Sequence, residues 1–525
     1  MKRINLLILF LSVGLLGVQA QTIYDGELLT QKDLSGSARF VGMGGALGAL
    51  GADISTMGTN PAGIGLYRSY DFNTTFGYTF NEVKSNYMGN KITSDHNKFG
   101  LKSAGFVISN YMGDYGLKYL NFGFNYTRTK DFYRKTEMAG LLNVNPNNNG
   151  IISISNQMAA HAEAMLDDGI DIADLFADDK AVYSNGRVGW LGAMGYDGKL
   201  IQRDDMGYTG YLPTPDVNSR VFERGGIDQY DFNISGNISD RFFFGLTIGA
   251  YDINYRSYSY YDEDYGNNEY GLIHTDRQLD GSGYDFKLGV IFRPVESSPF
   301  RIGLAVHSPI FYHLTNYTAA LMETQIAPED GVEATKEDRL IFSPNDELGG
   351  FEHAFDFEIN TPWKFNFSLG HNVADYLALG AEYEYQDYSS IKFKYDGGGN
   401  IRYINSTSDM LKGVHTLRLG AEFRVVPEFA FRMGYNIQTA TFKKEAFKDI
   451  MPGSTITDAH YVNNSDVRNT FTFGLGYMGK TFYSDLAFKF DWHKSEFRPF
   501  DDPALELTKL TNNRSQVLFT LGMRL

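Results

Sequence analysis

Gly474-Leu-Gly-Tyr-Met-Gly479-Lys480-Thr481 spells the phosphate-loop pattern, in which glycine backbone amides cradle phosphates and a lysine reaches them. Such a loop has to open a helix. Here Phe471, Phe473, Leu475 and Tyr477 alternate before it and Phe482 to Trp492 alternates after it, so Gly479-Lys480 reads as a hairpin turn between strands. Gly42-Met-Gly44-Gly45-Ala-Leu-Gly48 is a weaker likeness to a dinucleotide fingerprint, with no strand-turn-helix unit around it. The 10 histidines are scattered, without H-E-x-x-H or a tight His/Asp cluster, and no metal site is expected. His161 and Met165 have haem-ligand types at i, i+4, but a helix face is the simpler reading, and no cofactor is expected. A Ser/His/Asp triad assembles in space and leaves no spacing to read, so the sequence offers no positive sign of an enzyme. The absence of cysteine removes thiol chemistry, disulfides and a lipid-anchored lipoprotein. What is left is charge at alternate positions: Lys364, Arg418, Arg424 and Arg432 either attract a carboxylate head group or pair with Glu382, Glu384 and Glu422 as ordinary lumen charges.

These side chains need a wall to sit on, and the composition describes one. Aromatics make up 15% of the 525 residues, as 40 Phe and 35 Tyr against 3 Trp, with 56 Gly, a balance that suits a membrane barrel with aromatic girdles. A mean hydropathy of -0.29 agrees, because only alternate wall positions face lipid. From Tyr67 onward the chain divides into about fourteen alternating segments of roughly ten residues, the length of a tilted membrane strand. In Thr416 to Val425, Leu417, Leu419, Ala421, Phe423 and Val425 share one face while Arg418, Glu422 and Arg424 share the other. Phe365, Phe367 and Leu369 repeat the pattern, as do Leu486, Phe488, Phe490 and Trp492, and Val517 to Leu525 forms the outward face of a last strand.

Connection lengths separate a membrane barrel from a soluble sandwich. Short links near Met112 to Gly116, Ile238 to Arg241, Pro294 to Pro299, Asn372 to Asp375, Val426 to Glu428 and Gly479 to Lys480 alternate with long ones. The long ones are placed at Asp131 to Gly226, Ser257 to Gly281, His313 to Phe351, Tyr395 to Gly413 and Thr441 to Asp466, a rhythm of periplasmic turns against extracellular loops. The longest is expected to carry a helix over Gln157 to Phe176, on which Met158, His161, Met165 and Leu166 share a face. That face either packs on its own loop or, through Met158, Met165 and Leu166, offers a greasy ligand its first landing.

Lys2 and Arg3, an apolar run from Ile4 to about Val18, and Val18-Gln19-Ala20 form an export signal over residues 1–20, with the mature chain beginning at Gln21. The run is shorter than the ~20 residues of a spanning helix. Removal of Lys2 and Arg3 takes two positive charges away and moves the net charge from -16 to -18, so nucleic acid is not an expected partner.

Residues 21–66 lack strand alternation. They run through Ser35-Gly-Ser-Ala-Arg39, Gly42, Gly44, Gly45 and Asp53 to Asn60-Pro61-Ala62-Gly63, small residues suited to a compact piece inside a barrel. This order of residues, with Tyr284 to Pro309, Thr361 to Ser390 and Thr416 to Tyr435, resembles the FadL/TodX family of outer-membrane transporters for hydrophobic compounds. The resemblance spans nearly all of the mature chain. It implies an all-β fold, a 14-stranded antiparallel transmembrane β-barrel over 67–525, plugged by an N-terminal luminal hatch over 21–66. Asn60, Pro61 and Ala62 match the hatch motif and Arg39 a basic position before it. It implies further a Gram-negative outer membrane with lipid and lipopolysaccharide contacts, a monomer, and passive diffusion of a hydrophobic or fatty acid-like small molecule through a partly greasy lumen. The region near 131–226 has no counterpart in the family pattern. A FadL-like barrel serving as a surface assembly or protein-secretion partner is the alternative, and an outer-membrane enzyme a third reading. A plug-and-barrel transporter driven from the inner membrane needs about 22 strands and a larger plug.

Overall fold

The computed structural model describes residues 21–142, 152–178, 180–211, 215–328 and 332–525. The export signal expected over 1–20 lies outside the described residues. Two helices, α1 (Ile23–Thr30) and α2 (Ala38–Gly42), and two single-turn helices, Ile54–Gly58 and Pro61–Leu66, precede the first wall strand.

The wall consists of β1 (Asp71–Tyr87), β2 (Asn90–Tyr111), β3 (Leu117–Asp131, continued by Arg134–Leu141), β4 (Asp216–Ile238), β5 (Phe242–Gly266) and β6 (Glu269–Phe292). It continues through β7 (Arg301–His307 and Phe311–Gln325), β8 (His353–Asn360 and Lys364–Val373), β9 (Leu377–Asp387 and Lys392–Tyr395) and β10 (Gly413–Val426). β11 (Phe429–Gln438), β12 (Arg468–Met478), β13 (Phe482–Arg498) and β14 (Thr508–Arg524) complete it. All neighbours are antiparallel, and β1 pairs with β14 from Asp71↔Arg524 to Asn86↔Lys509, closing a 14-strand barrel. Closure satisfies the strand backbone inside hydrocarbon, where no water is available to do it. No helix of the described residues is long and apolar enough to cross a membrane.

The lipid-facing band is legible on single strands. On β5, Phe242, Leu246 and Ile248 point outward and exposed, and on β6 so do Tyr284, Phe286, Leu288 and Phe292, with buried Asp285 and Lys287 between them. Beyond this band the outward positions turn polar, to Asp252, Asn254 and Arg256 on β5. The strands nevertheless continue. β5 runs 25 residues and β6 24, and they meet at a two-residue turn, Asn267-Asn268, with φ of 51° and 62°. The long loop expected over Ser257 to Gly281 is therefore a tight hairpin: once the wall rises above lipid its outer face needs no apolar residues, and the alternation signal ends before the strand does.

Two of the other expected long connections are trimmed in the same way and two stand as expected: β7 runs on to Gln325, whereas β9 ends at Tyr395 before Gly413 opens β10, and β11 ends at Gln438 before Arg468 opens β12. β3 reaches Leu141 and β4 begins at Asp216, so the loop placed at 131–226 spans 142–215. Its expected single helix is two, α3 (Ile154–Asp167) and α4 (Ile172–Ala177), broken where Gly169 takes φ 78°. They join α5 (Trp190–Asp197) in a compact module with its own apolar core around Trp190, Met194, Met322 and Phe500. The six expected short links are all present, at one end of the barrel, which also holds both ends of the wall at Asp71 and Leu525.

The segment before β1 folds back into the lumen, and the wall makes room for it with glycine. Gly370, Gly380, Gly420 and Gly434 occupy inward positions in register across β8, β9, β10 and β11. A Cβ on Gly380 would lie 2.0 Å from the Ala46 carbonyl oxygen, one on Gly420 2.3 Å from that of Met43, and one on Gly434 2.3 Å from the Gly44 nitrogen. Hatch backbone thus lies directly on wall backbone. A Gly420→Val substitution is expected to cost about 1–3 kcal/mol through overpacking, read as a lower unfolding midpoint of the detergent-solubilised barrel. An unchanged midpoint would show that this contact is not tight.

Candidate functional site

The hatch is locked by caps, ion pairs and close contacts. Asp53 caps the turn at Ile54–Gly58 through the Ser55 N–H at 3.0 Å and accepts from the Ser37 hydroxyl at 2.7 Å. Asn60 caps the next turn through the Ala62 N–H at 3.2 Å and donates to the Val290 carbonyl of β6 at 3.3 Å, while Pro61 fills the first helical position. Asn233 and Ser235 of β4 donate to the Pro61 carbonyl. Gly289 and Gly245 are the wall positions that admit Asn60 and Pro61, since a Cβ there would meet them at 2.1 and 2.4 Å. Ala62 is fully buried. Arg39 donates to Glu422 at 3.0 Å and to the Ala52 carbonyl at 2.7 Å. Glu422 is shared with Arg432 at 2.7 Å and Arg424 at 3.1 Å, and Arg432 reaches Asp485 at 2.6 Å. Gly42 lies against Arg432 and Gly474, Gly44 against Gly434, and Gly45 against Arg418. Gly44 and Gly45 sit at φ 63° and 79°, which glycine adopts without strain. The sequence-predicted hatch residues therefore converge.

Above this floor, residues 31–34 cross the lumen as a bar pinned on both sides. Lys32 donates to Gln229 at 3.0 Å and to the Tyr251 hydroxyl at 2.9 Å. Asp33 accepts from Arg514 at 2.6 Å, its N–H donates to the Thr129 carbonyl, and Lys489 reaches the Leu34 carbonyl at 3.0 Å. Burial, reinforced by the nearby Lys364 charge, pulls the Lys32 ammonium down to about 7. For Asp33, burial is outweighed by Arg514 and Lys130, which hold its carboxyl well below the usual carboxylate range.

The bar divides two cavities. One is lined by Lys32, Lys364, Glu384, Arg418 and Asp231 among others. The second is lined by Lys130, Asp131, Arg134, Glu223 and Arg514, and Asp33, Arg468 and Asp491 border both. The linings mix charged and amide groups with apolar side chains, Leu34 and Phe40 in the first cavity and Leu28, Val83 and Phe132 in the second. Higher up, α1 enters an apolar cluster with Phe357, Phe393, Ile404 and Phe442 that roofs the lumen.

The second cavity abuts a seam in the wall. Pairing between β2 and β3 stops at Ser103↔Thr127. Beyond it Asn90–Lys102 of β2 is hydrogen-bonded only to β1, and Arg134–Leu141 of β3 only to β4. Side chains bridge the seam: Lys102 to Asp131 at 2.8 Å, Ser94 to Glu137 at 2.6 Å, Asn81 to the Tyr133 carbonyl at 2.7 Å, and the Lys98 ammonium 3.4 Å from the Tyr133 ring centroid.

A closed barrel of this strand number, with an N-terminal segment packed in its lumen, has solved counterparts. The toluene transporter TodX of Pseudomonas putida aligns at TM-score 0.50 and 12% identity, covering 94% of this chain and 99% of that one. A FadL homologue from Pseudomonas aeruginosa aligns at 0.52 and 13%, with the same coverage. This is the FadL-type barrel fold. No protein-family model and no curated protein matches the chain.

Within this FadL-type barrel the expected ligand contacts fall into three places. Lys364 and Arg418 line the first cavity, but both are paired: Arg418 with Glu382 at 2.7 Å and Glu384 at 3.2 Å, and Lys364 with Glu384 at 3.4 Å. Arg432 and Arg424 belong to the ionic cluster under the hatch and border neither cavity. Met158 and Met165 are buried in the loop module against α5, with Leu166 partly buried beside them, so this face packs on its own loop. The phosphate-loop match lies in β12 and the turn to β13, with no helix. Among the described residues one His/carboxylate group of metal-ligating types, His313, Glu358 and Asp396, sits on the outer wall away from the cavities. Sequence reasoning missed Lys32, Lys130 and Asp33, which carry no motif, and the inward glycine row, whose signal was glycine at inward positions of successive alternating segments.

Glu422, 2% exposed and shared by three arginines, is the central ionic tie between hatch and wall. Glu422→Ala leaves Arg39 and Arg432 short of a partner, and a loss of about 3–5 kcal/mol is expected, measured by denaturant unfolding. A loss below 1 kcal/mol would assign the hatch's anchorage elsewhere.

Proposed function

We propose that the chain is an exported outer-membrane channel, freed of residues 1–20, that passes amphipathic small molecules with an acidic head group, such as long-chain fatty acids, by passive diffusion and without catalysis. The observation that carries this reading is a lysine in each cavity whose side-chain hydrogen bonds go to neutral groups, with the second cavity abutting a side-chain-closed seam. Among the described residues Lys32 is held by Gln229 and Tyr251, and Lys130 by Gln31 at 2.9 Å, all neutral. A carboxylate head displaces such partners at lower cost than it displaces a paired anion. The apolar tail then follows the seam to the lipid, gaining roughly 0.8 kcal/mol per CH₂ removed from water. Linings that mix charged and apolar side chains favour an amphiphile over a plain hydrocarbon. The short-turn end faces the periplasm, the barrel acts as a monomer, and its lipid band meets phospholipid and lipopolysaccharide.

A second reading has its own support. The apolar roof around α1 and the hatch floor lie above and below the cavities, and the loop module has an apolar core like that of a small folded domain. A barrel so stoppered suits a surface assembly or protein-secretion partner.

Uptake of labelled fatty acid separates the two. Deletion of the gene is expected to reduce uptake several-fold, and wild type to restore it. A Ser94→Cys/Glu137→Cys variant is expected to restore it only until a thiol crosslinker joins the seam. Uptake unchanged by deletion, for this and a panel of other amphiphiles, sinks the channel reading and leaves the partner role.

Lys32 adds a pH signature. Its ammonium ionises below about 7 in the folded protein and below about 10.4 in the unfolded chain. The folded state therefore holds fewer protons between those values, and this group's contribution to stability rises with pH across that window. The cavity loses a positive charge over the same rise, so laurate binding, followed by calorimetry, is expected to weaken several-fold on passing pH 7 upward. Lys32→Met is expected to flatten that profile. A profile equally steep in the variant would assign the titration to another group.

A further inference from the structure

Removal of residues 1–20, the export reading on which this inference rests, makes Gln21 the first residue of the mature chain. Its surroundings are unusual for a chain terminus. In the full-length chain Gln21 is 3% exposed, and its side-chain Nε2 and Oε1 are buried with no hydrogen-bond partner. It immediately precedes Thr22, the N-cap of α1, where unpaired helix N–H groups concentrate partial positive charge. The carboxylate of that first turn is already engaged: Asp25 accepts from the Thr22 N–H at 2.9 Å and from Arg277 at 2.8 Å. Next along the chain Tyr24 is stacked on Phe442 with ring centroids 4.4 Å apart, and Ile23 is in the apolar roof of the lumen.

A newly cut amino terminus ionises with a pKa of about 8 and is an ammonium at neutral pH. Placed here, that ammonium is a charge on a buried residue just before the positive end of a helix, whose first-turn carboxylate Arg277 already engages. A buried charge without its own partner is among the most destabilising features a fold can carry.

We infer that the mature chain begins with pyroglutamate. The α-amino nitrogen of Gln21 attacks the side-chain Cδ and forms the lactam C–N bond, the Cδ–Nε2 bond breaks, and Nε2 departs as ammonia. The step is a neutral transamidation and uses no oxidant or reductant. It removes the ammonium charge and the primary amide together, leaving one N–H and one carbonyl on a compact ring that suits an apolar roof. Because the folded lumen covers Gln21, ring closure precedes the seating of α1, between cleavage and barrel assembly, and a glutaminyl cyclase of the exported compartment is the class of catalyst that serves it.

The test is mass spectrometry of the N-terminal tryptic peptide, Gln21 to Lys32, from full-length protein purified from the outer membrane of the bacterium that encodes it. A synthetic peptide of the same sequence with a free N-terminal Gln, carried through the same digestion, measures the ring closure caused by handling. The expected peptide is lighter by one ammonia, almost completely so, and closed to stepwise degradation until pyroglutamyl aminopeptidase is added. A peptide starting at Gln21 and cyclised no more than the synthetic control overturns the proposal while leaving the export reading intact. A peptide that includes residues before Gln21 overturns both. A Gln21→Ala chain, which keeps its ammonium, is expected to unfold at a lower temperature than wild type, and equal stability would remove the burial argument.

Discussion

A barrel of this circumference cannot fill its own interior with side chains, and that deficit governs the rest of the molecule. The N-terminal segment supplies the missing matter, and it approaches the wall more closely than side chains allow. Gly370, Gly380, Gly420 and Gly434 clear a strip on which the carbonyls of Met43 and Ala46 rest almost against strand backbone. Around that strip the buried charges are matched across the interface, Arg39 and Arg432 with Glu422, and Glu382 with the Gly48 N–H at 3.1 Å. Either element alone leaves the other with uncompensated charge, so hatch and wall specify one another.

From that mutual fit comes a lumen organised in layers. The hatch is the floor, the bar at residues 31–34 the partition, and the apolar cluster around α1 the roof. Because the bar is tethered to strands on opposite sides through Lys32 and Asp33, it cannot shift without exchanging strong interactions. The seam between β2 and β3 differs in kind: its bridges are side-chain contacts that rotamer changes can release one at a time, whereas a backbone ladder separates cooperatively.

Much of the wall was legible because lipid imposes a period of two on every strand that crosses it. Leu417, Leu419 and Phe423 face out as the alternation requires, and the short turns fall where the sequence puts them. The signal stops at the edge of the lipid band, so the upper halves of β5 and β6 read as loop. The hatch stood out as a stretch without alternation, and Asn60-Pro61 was visible as a cap followed by a first-turn proline. Its partners were not visible: Arg39 and Glu422 are 383 residues apart, and no local pattern joins them. Which inward residues line open space was hidden for a related reason, since that depends on where the hatch leaves gaps. Met158 and Met165 have the spacing of a helix face, and spacing alone does not say what covers that face.

The long hairpins have a mechanical meaning. A strand needs roughly 9–11 residues to cross the hydrocarbon at its usual tilt, and β5 has 25. More than half of it stands clear of the lipid, hydrogen-bonded along its length to β4 and β6. The helical module is therefore carried on a rigid mast and not on flexible tethers. In the orientation proposed above, with the short turns at the periplasm, that mast lifts the helical module well away from the membrane surface.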